Sequence, residues 1–558
     1  MRFFIRIGMQ TFGLKTSHSF DTHLLEKYPQ ICLDFTHALI ANTKENCEIY
    51  APEIDWYLSN SQANDEVKLE NINRLFQTRL NIYDNAPYKE YSIEVPNTLA
   101  IIGNDNEITQ EFISLAKDFQ CFLLSPSSIT HINGELGSFK ALLNDGNEVE
   151  FAQAVLFIKD ENLPKFLGIL SIADFSNAED VLSLLSTRVG TYTYKTTTLY
   201  NSHICQYHQR RPDSNGEGYC HKCVNVCPTF GVTKNDTLME LSFSQLDCMG
   251  CGGCIATCPS GALDFASFSI ETMIETLRHY QNTKILLIPE IFLPSLKDIT
   301  LPSHLSPLII PREKFPSEVH FLSMVQESNH SMIFYSPVIS RPSFEAIKLV
   351  NDIYGAICGK EAIFVAQDTQ TLQSLWDKPS ALPHYSYTPS PKEPRRKHFG
   401  ERLRYLIKDE DFGVVESGAS GEMIRYGKIH IDESKCTLCN SCVGACNVDA
   451  LTANSQEFAL QYNPSLCTTC GYCIPSCPEN ALRLELSGIE LNPSWFETHT
   501  LAKDELFSCV ECGKPFATKK SIQKIKDVMS SHFLGDSAKL KTLECCSDCK
   551  VKIMFENI

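Results

Sequence analysis

Two features are absent from the sequence: a long apolar run and an excess of positive charge. No stretch reaches the ~18 uninterrupted apolar residues that a membrane helix needs, so we predict no direct membrane span. The formal net charge is −18, which repels nucleic-acid phosphates and favours protein partners with basic docking faces. We therefore expect no nucleic-acid binding. Residues 1–8 lack the apolar core of a secretory signal, which predicts a cytoplasmic protein.

Nucleotide-binding motifs are absent as well. Residues 98–103, 107–119 and 121–124 predict a strand, a helix and a second strand. This layout resembles the nucleotide-binding region of the flavin subunit of heterodisulfide reductase. No G-x-G-x-x-G sequence follows any predicted strand, so FAD is not expected here.

What the sequence has in abundance is cysteine, with 25 residues in 558. A chain of this length is expected to form about three to five folding units. The cysteines could form disulfides, but most of them lie in tight Cys-x-x-Cys runs within a large chain of ordinary hydrophobic content. That pattern favours metal ligation in a reducing compartment.

Fifteen of the cysteines fall into four runs, which span residues 220–227, 248–258, 436–446 and 467–477. The last two runs have two, two and three residues between successive thiols, as in bacterial ferredoxins. Twenty residues separate Cys227 from Cys248, and twenty separate Cys446 from Cys467. This equal separation indicates that one module is duplicated.

On these residues the chain resembles ferredoxins of the two-[4Fe–4S] type, present here in two copies as in a polyferredoxin. In that family the last cysteine of each run crosses to the cluster of the other run. The resemblance implies one cluster held by Cys436, Cys439, Cys442 and Cys477, and another held by Cys467, Cys470, Cys473 and Cys446. Asn447 stands where proline usually follows the last cysteine, and we expect this change to alter hydrogen bonding near that cluster.

The first block is irregular, because Glu217 stands where the run at 220–227 should have its first thiol. The predicted complete set is Cys248, Cys251, Cys254 and Cys227, which leaves Cys220, Cys223 and Cys258 one ligand short. Cys205, 15 positions before Cys220, is the predicted replacement. The alternatives are a three-iron cluster, or ligation by Glu217, His221 or His208.

The carboxyl-terminal cysteines form two further pairs, Cys509 with Cys512 and Cys546 with Cys549. The first pair resembles a knuckle of a zinc ribbon, so these four thiols are predicted to bind Zn²⁺. The 33 residues between the pairs, including a predicted helix near 521–529, exceed the usual ribbon spacing. A further iron–sulfur cluster with Cys545 as a spare ligand, or a redox dithiol, are the alternatives.

The predicted fold class is α/β and α+β multidomain, with two ferredoxin-like modules inserted among α/β domains and a small metal-binding C-terminal domain. The basic stretch 395–404 is predicted to be a solvated helix start, or alternatively a docking site for an acidic redox partner. The predicted units are an α/β domain (1–190), a first dicluster module (196–268), a second α/β domain (270–375), a proline-rich and basic linker (376–425), a second dicluster module (426–487) and a zinc-ribbon-like tail (500–558).

These features predict an electron-transfer protein that relays electrons between a donor and an acceptor protein through up to four [4Fe–4S] clusters. No substrate site is needed for that role, and no catalytic residue is predicted. One alternative is the iron–sulfur subunit of a larger oxidoreductase, such as formate dehydrogenase, hydrogenase or a heterodisulfide-reductase-like enzyme, with a flavin or substrate site in the N-terminal domain. Another is an assembly or docking factor for such an enzyme.

Overall fold

The structure, a computed structural model, describes residues 10–87, 89–383, 387, 390, 393–533 and 536–556. Residues 1–9, on which the absence of a secretory signal was argued, lie outside this range, as does part of the proline-rich segment at 384–392. Within the described ranges, no helix is long and apolar enough to cross a bilayer.

The first unit is a parallel four-stranded sheet with strand order β2-β1-β3-β4 and three helices. Asn64 caps the long third helix by accepting from the Val67 N–H, and two acidic residues follow it in the first turn. The elements are β1 (Gln10–Gly13), α1 (Thr22–Leu25), β2 (Ile31–Cys32), β3 (Ala38–Ala41), β4 (Cys47–Tyr50), α2 (Pro52–Asn60) and α3 (Asp65–Asn85).

A second parallel sheet, with strand order β12-β11-β6-β7, occupies residues 98–171 and is accompanied by an antiparallel three-stranded sheet and a two-stranded ribbon. The predicted strand, helix and strand at 98–124 are all present. The elements are β5 (Glu90–Val95), β6 (Thr98–Ile102), α4 (Glu107–Leu115), β7 (Gln120–Leu124), β8 (Ile129–Asn133), β9 (Phe139–Leu143), β10 (Glu148–Phe151), β11 (Gln153–Leu156), β12 (Ile169–Ser171), α5 (Ala178–Ser186) and β13 (Gly190–Lys195).

The first cysteine block forms short helices and two antiparallel strand pairs, β14 with β17 and β15 with β16. The elements are β14 (Thr198–Tyr200), α6 (Lys222–Val226), β15 (Val232–Asn235), β16 (Glu240–Phe243), α7 (Gly253–Thr257) and β17 (Leu263–Phe265).

A third parallel sheet follows, in the order β19-β18-β20-β21. Its central strands are buried along almost their whole length, as expected for a parallel sheet that is covered on both faces. The elements are α8 (Ile270–Leu277), β18 (Lys284–Pro289), β19 (Leu305–Ile310), α9 (Glu318–Ser328), β20 (Met332–Tyr335), α10 (Arg341–Cys358), β21 (Ile363–Ala366) and α11 (Thr369–Ser374).

This third sheet shares one apolar core with the first unit. Phe12 stacks on Phe76 with ring centroids 4.7 Å apart, and the same buried cluster includes Leu286 and Ile333. The described part of the predicted domain 1–190 thus contains two separate parallel sheets. The domain boundaries, as limits of independent folding units, stay a prediction.

The basic stretch after the third sheet forms α12 (Arg395–Ile407), and the prediction of a solvated helix start is wrong. Arg396 and Arg402 are buried, because Phe399, Leu403 and Leu406 form an apolar stripe that packs into the core. Two short elements lead to the second block, β22 (Val414–Val415) and α13 (Ser417–Ser420).

The second cysteine block repeats the pairings of the first, with β23 on β26 and β24 on β25. The tail adds β28 to this module and forms a hairpin and three helices, of which α15 matches the helix predicted near 521–529. The elements are β23 (Lys428–Ile431), α14 (Ser441–Ala445), β24 (Leu451–Asn454), β25 (Ala459–Tyr462), β26 (Leu482–Glu485), β27 (Ile489–Glu490), β28 (His499–Lys503), β29 (Leu506–Ser508), β30 (Pro515–Thr518), α15 (Lys519–Met529), α16 (Ser537–Thr542) and α17 (Ser547–Glu556).

Candidate metal centres

In the second module the structure brings together the two sets of cysteines that the ferredoxin resemblance implies. One cavity is lined by Cys436, Cys439, Cys442 and Cys477. Another is lined by Cys446, Cys467, Cys470 and Cys473. In each case the last cysteine of one run joins three cysteines of the other.

Backbone amides aim at the sulfur atoms of these cavities. The N–H of Thr469 donates to Cys467 Sγ and that of Ala481 to Cys477 Sγ, both at 3.4 Å. Burial raises the pKa of the Cys442 thiol to about 12 and that of Cys467 to about 11, and the nearby cysteines act in the same direction. Four crowded thiols, most of them buried or half-buried, cannot all ionise without a cationic centre, so each donor set fits a bound metal cluster.

The regular set of the first module is also assembled. Burial raises the pKa of the Cys254 thiol, and the adjacent Cys248, Cys251 and Cys227 raise it further. Gly252, just after the second cysteine of this loop, has φ +79°, and a Cβ there would lie 2.2 Å from the Cβ of Phe315. Only glycine fits that position.

The irregular set contains Cys205. Burial raises the pKa of the Cys220 thiol to about 12, with further contributions from Cys258 and Cys205. Burial likewise raises the pKa of the Tyr200 hydroxyl, and so do the neighbouring thiols of Cys205, Cys223 and Cys258. The structure therefore places Cys205 with Cys220, Cys223 and Cys258.

Glu217, the predicted alternative ligand, points elsewhere. It is exposed, in a turn in which its backbone N–H donates to Asp213 Oδ1 at 2.9 Å. Cys205 is 7% exposed, and its Sγ accepts from the Tyr207 N–H at 3.4 Å. His221 Nδ1 lies 3.3 Å from the Gly218 carbonyl oxygen.

The loop of the irregular set also differs in backbone conformation. Each of the three regular loops has positive φ at two positions, just before and just after its second cysteine: Gly250 and Gly252, Leu438 and Asn440, and Thr469 and Gly471. No residue from 217 to 226 has a positive φ. The missing first thiol is therefore accompanied by a different chain path.

The two modules contact each other through residues beside their cysteines. Asn447 Nδ2 donates to the carbonyl oxygens of His203 and Cys205, both at 3.0 Å. Its Oδ1 accepts from Gln206 Nε2 at 2.7 Å, and Gln206 also lines the cavity of Cys446. Proline at position 447 could make none of the side-chain bonds, which gives a physical reason for the departure from the ferredoxin pattern.

Two aromatic and cationic contacts extend this interface. Arg210 Nη1 donates to the Ala445 carbonyl oxygen at 2.9 Å, and its guanidinium lies 4.6 Å from the ring centroid of Tyr472. The Tyr472 hydroxyl accepts from the Arg211 N–H at 3.2 Å. The segment after Cys205 is thus held against both cysteine runs of the second module.

The tail assembles the four predicted thiols at one point. The Sγ atoms of Cys509, Cys512, Cys546 and Cys549 all lie within 4.8 Å of one another. Burial acts to raise the pKa of Cys509, but the backbone N–H groups of Cys512, Cys546 and Glu511 outweigh it and lower the value to about 6. Four convergent thiols, one of them already favouring the thiolate, fit a tetrahedral metal ion.

Cys545, the predicted spare ligand, is not one of these four thiols, but its thiol lies beside that of Cys509. Its Sγ donates to the Lys541 carbonyl oxygen at 3.3 Å. The tail also packs on the second module, where Ser521 Oγ donates to the Thr437 carbonyl oxygen at 2.7 Å and Lys520 Nζ to that of Glu433 at 2.8 Å.

Sequence reasoning missed the buried cations beside the irregular set. Arg395 donates to the carbonyl oxygens of Ile255 (2.9 Å), Ala256 (2.7 Å) and Cys258 (2.7 Å) and forms an ion pair with Glu318. The apolar spacing of α12 could have shown that the helix packs into a core, but no local signal identifies its partners.

Comparison with known families agrees with this geometry. Residues 218–268 and 428–478 each match a family model described as a 4Fe-4S dicluster domain. No curated protein matches the chain. The protein is a multidomain α/β chain that contains two 4Fe-4S dicluster domains of the ferredoxin type, and these domains support an iron–sulfur electron-transfer role. Cys205 lies before the first matched segment.

Proposed function

We propose that the protein relays electrons between redox partners through four [4Fe–4S] clusters arranged on one path. The proposed ligand sets are Cys205, Cys220, Cys223 and Cys258; Cys227, Cys248, Cys251 and Cys254; Cys436, Cys439, Cys442 and Cys477; and Cys446, Cys467, Cys470 and Cys473. Each cluster, when bound, accepts or releases one electron.

The observation that carries a single path is the bridge made by Asn447. This residue follows Cys446 directly, and its side chain bonds the backbone of Cys205. The residue next to one proposed ligand, Cys446, is therefore joined to another, Cys205, by one side-chain hydrogen bond. The contacts of Arg210 and Tyr472 hold the same two loops in place.

The chain's own residues prepare each site for an anionic group. Backbone N–H groups donate to sulfur, apolar side chains such as Leu460 and Leu482 line the cavity and exclude water, and glycines let the backbone approach closely. These are the means by which a protein holds and tunes a cluster.

The tail is proposed to hold Zn²⁺ in a structural role. All four ligand positions of a tetrahedral site are taken by cysteine, which is the composition of closed structural zinc sites. Because α15 packs on the loop of Cys436 and Cys439, an ordered tail also covers one side of that cluster's loop. We propose a cytoplasmic location, with protein donors and acceptors as partners.

Metal analysis of the anaerobically purified full chain tests the proposal. We expect about sixteen irons and about one zinc per chain. Cys205→Ser should remove or alter one cluster, with a distinct signal in electron paramagnetic resonance (EPR), whereas Cys32→Ser is the matched control with no expected change. About twelve irons in the wild type, or a Cys205→Ser protein identical to the wild type, would contradict the four-cluster assignment.

The single path has its own test. Asn447→Ala removes three side-chain hydrogen bonds between the modules and should weaken the magnetic coupling between reduced clusters of the two modules, measured by pulsed EPR. Asn454→Ala is a control on β24, away from the bridge. Unchanged coupling in Asn447→Ala would exclude the bridge as the link.

A further inference from the structure

Three buried or half-buried cations lie near one another beside the irregular cysteine set. Lys222 lies between Cys220 and Cys223, and its Nζ donates to the Met423 carbonyl oxygen at 2.6 Å. Arg396 donates to the carbonyl oxygen of Arg425, which lies two residues after Met423. The segment 423–426 therefore holds both cations beside the same loop.

Arg395 is the third member of the group. Its Nη1 donates to the Cys258 carbonyl oxygen at 2.7 Å, so it is fixed to the backbone of another proposed ligand of the same cluster. Arg395 is paired with Glu318, and its side chain is 8% exposed. We call Lys222, Arg395 and Arg396 the cation group.

The cation group carries more positive charge than its protein partners balance. Among the described residues, Glu318 is the only carboxylate that forms an ion pair or hydrogen bond with any of the three cations. Arg396 is 3% exposed and stacks on Tyr426 at 3.6 Å, and its Nε and Nη1 have no hydrogen-bond partner in the described part of the chain. Buried cations without counter-charge are costly, so this site fits an anionic group.

The other three cysteine loops have no charged residue at the position of Lys222. Each of the four runs ends in two cysteines that are separated by three residues. Lys222 immediately precedes the first cysteine of this pair in the irregular run. The corresponding residues are Gly253, Ser441 and Tyr472, which are uncharged. At this position a charge is therefore particular to the irregular set, whereas a buried cation, Arg210, contacts the second module.

We propose that the cation group raises the reduction potential of the cluster held by Cys205, Cys220, Cys223 and Cys258 above the potentials of the other three, so that this cluster is where electrons collect. The inference rests on the proposed function, because it requires the cluster to be bound. Reduction adds one negative charge to an already anionic cluster, and nearby buried cations stabilise the reduced form more than the oxidised form. The electron comes from the protein donor, and no proton transfer is required.

Redox titration of the full chain, followed by EPR, tests the proposal. The component that belongs to the irregular set is the one changed in Cys205→Ser. In Arg396→Gln and in Lys222→Met, we expect the equilibrium constant for reduction of that component to fall at least tenfold. For one electron this corresponds to a reduction potential lower by at least 59 mV. The other components should stay within threefold of their wild-type values.

Two controls separate charge from packing. Arg396→Lys keeps the charge and should keep the equilibrium within threefold. Lys524→Gln removes a half-exposed cation that pairs with Glu479 in the second module and should leave the irregular component unchanged.

Each outcome decides the inference. If both neutral variants hold full iron and leave the component unchanged, the inference is wrong. Loss of that cluster in both neutral variants but not in Arg396→Lys supports charge compensation, whereas loss in all three variants overturns it in favour of packing. A wild-type protein without iron refutes the proposed function itself, which is a distinguishable result.

Discussion

Replacing Arg395 by methionine should destabilise the junction between the first module and the third sheet. The Arg395 side chain is 8% exposed and that of Glu318 is 1% exposed, and the two form a pair through both Nε and Nη2. Burial acts to raise the pKa of Glu318, but Arg395 and Arg396 outweigh it and hold the pKa below its usual value. The substitution removes the stronger of these two cations and leaves Arg396 as the remaining cation near Glu318.

The expected cost follows from this geometry. Breaking a buried ion pair by removing one partner costs about 3–5 kcal/mol, because the other charge is left without compensation. Arg396 remains as a second cation near Glu318, which places the cost near the lower end, at about 3 kcal/mol. Three carbonyl oxygens at the end of α7 also lose their donor, which adds to the cost.

A double-mutant cycle with Glu318→Gln, followed by anaerobic urea unfolding, measures the coupling of the pair. We expect a coupling of at least 2 kcal/mol for Arg395 with Glu318. Lys348 and Asp352 form the matched control. Their ion pair, with Nζ 2.8 Å from Oδ2, lies at the surface, where the two side chains are 51% and 39% exposed. We expect a coupling of about 0.3–0.5 kcal/mol for this pair. A coupling for the buried pair no larger than that of the control would refute the reasoning.

Three further predictions concern other parts of the molecule. Gly252→Ala should lower the free energy of unfolding, measured in urea, by about 2 kcal/mol or more, because the added Cβ would clash with Phe315. Gly413 also has a positive φ but has open space around it, so Gly413→Ala should lower this free energy by about 1 kcal/mol. Equal losses in the two variants would contradict the steric argument. Burial raises the pKa of Asp264 to about 6, so the folded state binds this proton more tightly than the unfolded state does. The free energy of unfolding should therefore fall as pH rises, by about 1.4 kcal/mol between about pH 5 and 7.5. Asp264→Asn should remove that slope in unfolding measured as a function of pH. Cys549→Ser should remove about one zinc per chain with iron unchanged, measured by mass spectrometry of the metals, and loss of iron with it would point to a cluster in the tail.

The sequence predicts much of the cluster sites because their ligands are set by short-range spacing. The runs at 436–446 and 467–477 place three thiols on one loop, and the crossing of the fourth follows from the ferredoxin resemblance. The structure also brings Cys205 to its predicted neighbours, and its role as a ligand stays a prediction. Four tail cysteines meet despite the 33 intervening residues, since the helices between the pairs fold back.

Long-range pairing explains what sequence reasoning could not supply. Arg395 meets Glu318 across 77 positions, and Asn447 meets Cys205 across 242, so no local pattern marks either contact. The basic composition of the 395–404 stretch favours a solvated helix, but burial against α9 and against residues 464–466 of the second cysteine block outweighs that preference. The unusual asparagine after Cys446 was visible in the sequence, although its partner was not.

The apolar core shared by the first unit and the third sheet has a consequence for synthesis of the chain. Phe76 and Leu286, which lie in that core, are 210 positions apart. At about 5–20 residues per second, a ribosome takes about 10–40 s to cover that distance. During this interval the first sheet emerges without the partner that covers it, while the cysteines of the first block are already being synthesised. We therefore expect the nascent chain to expose apolar surface and reactive thiols together until the third sheet has been synthesised.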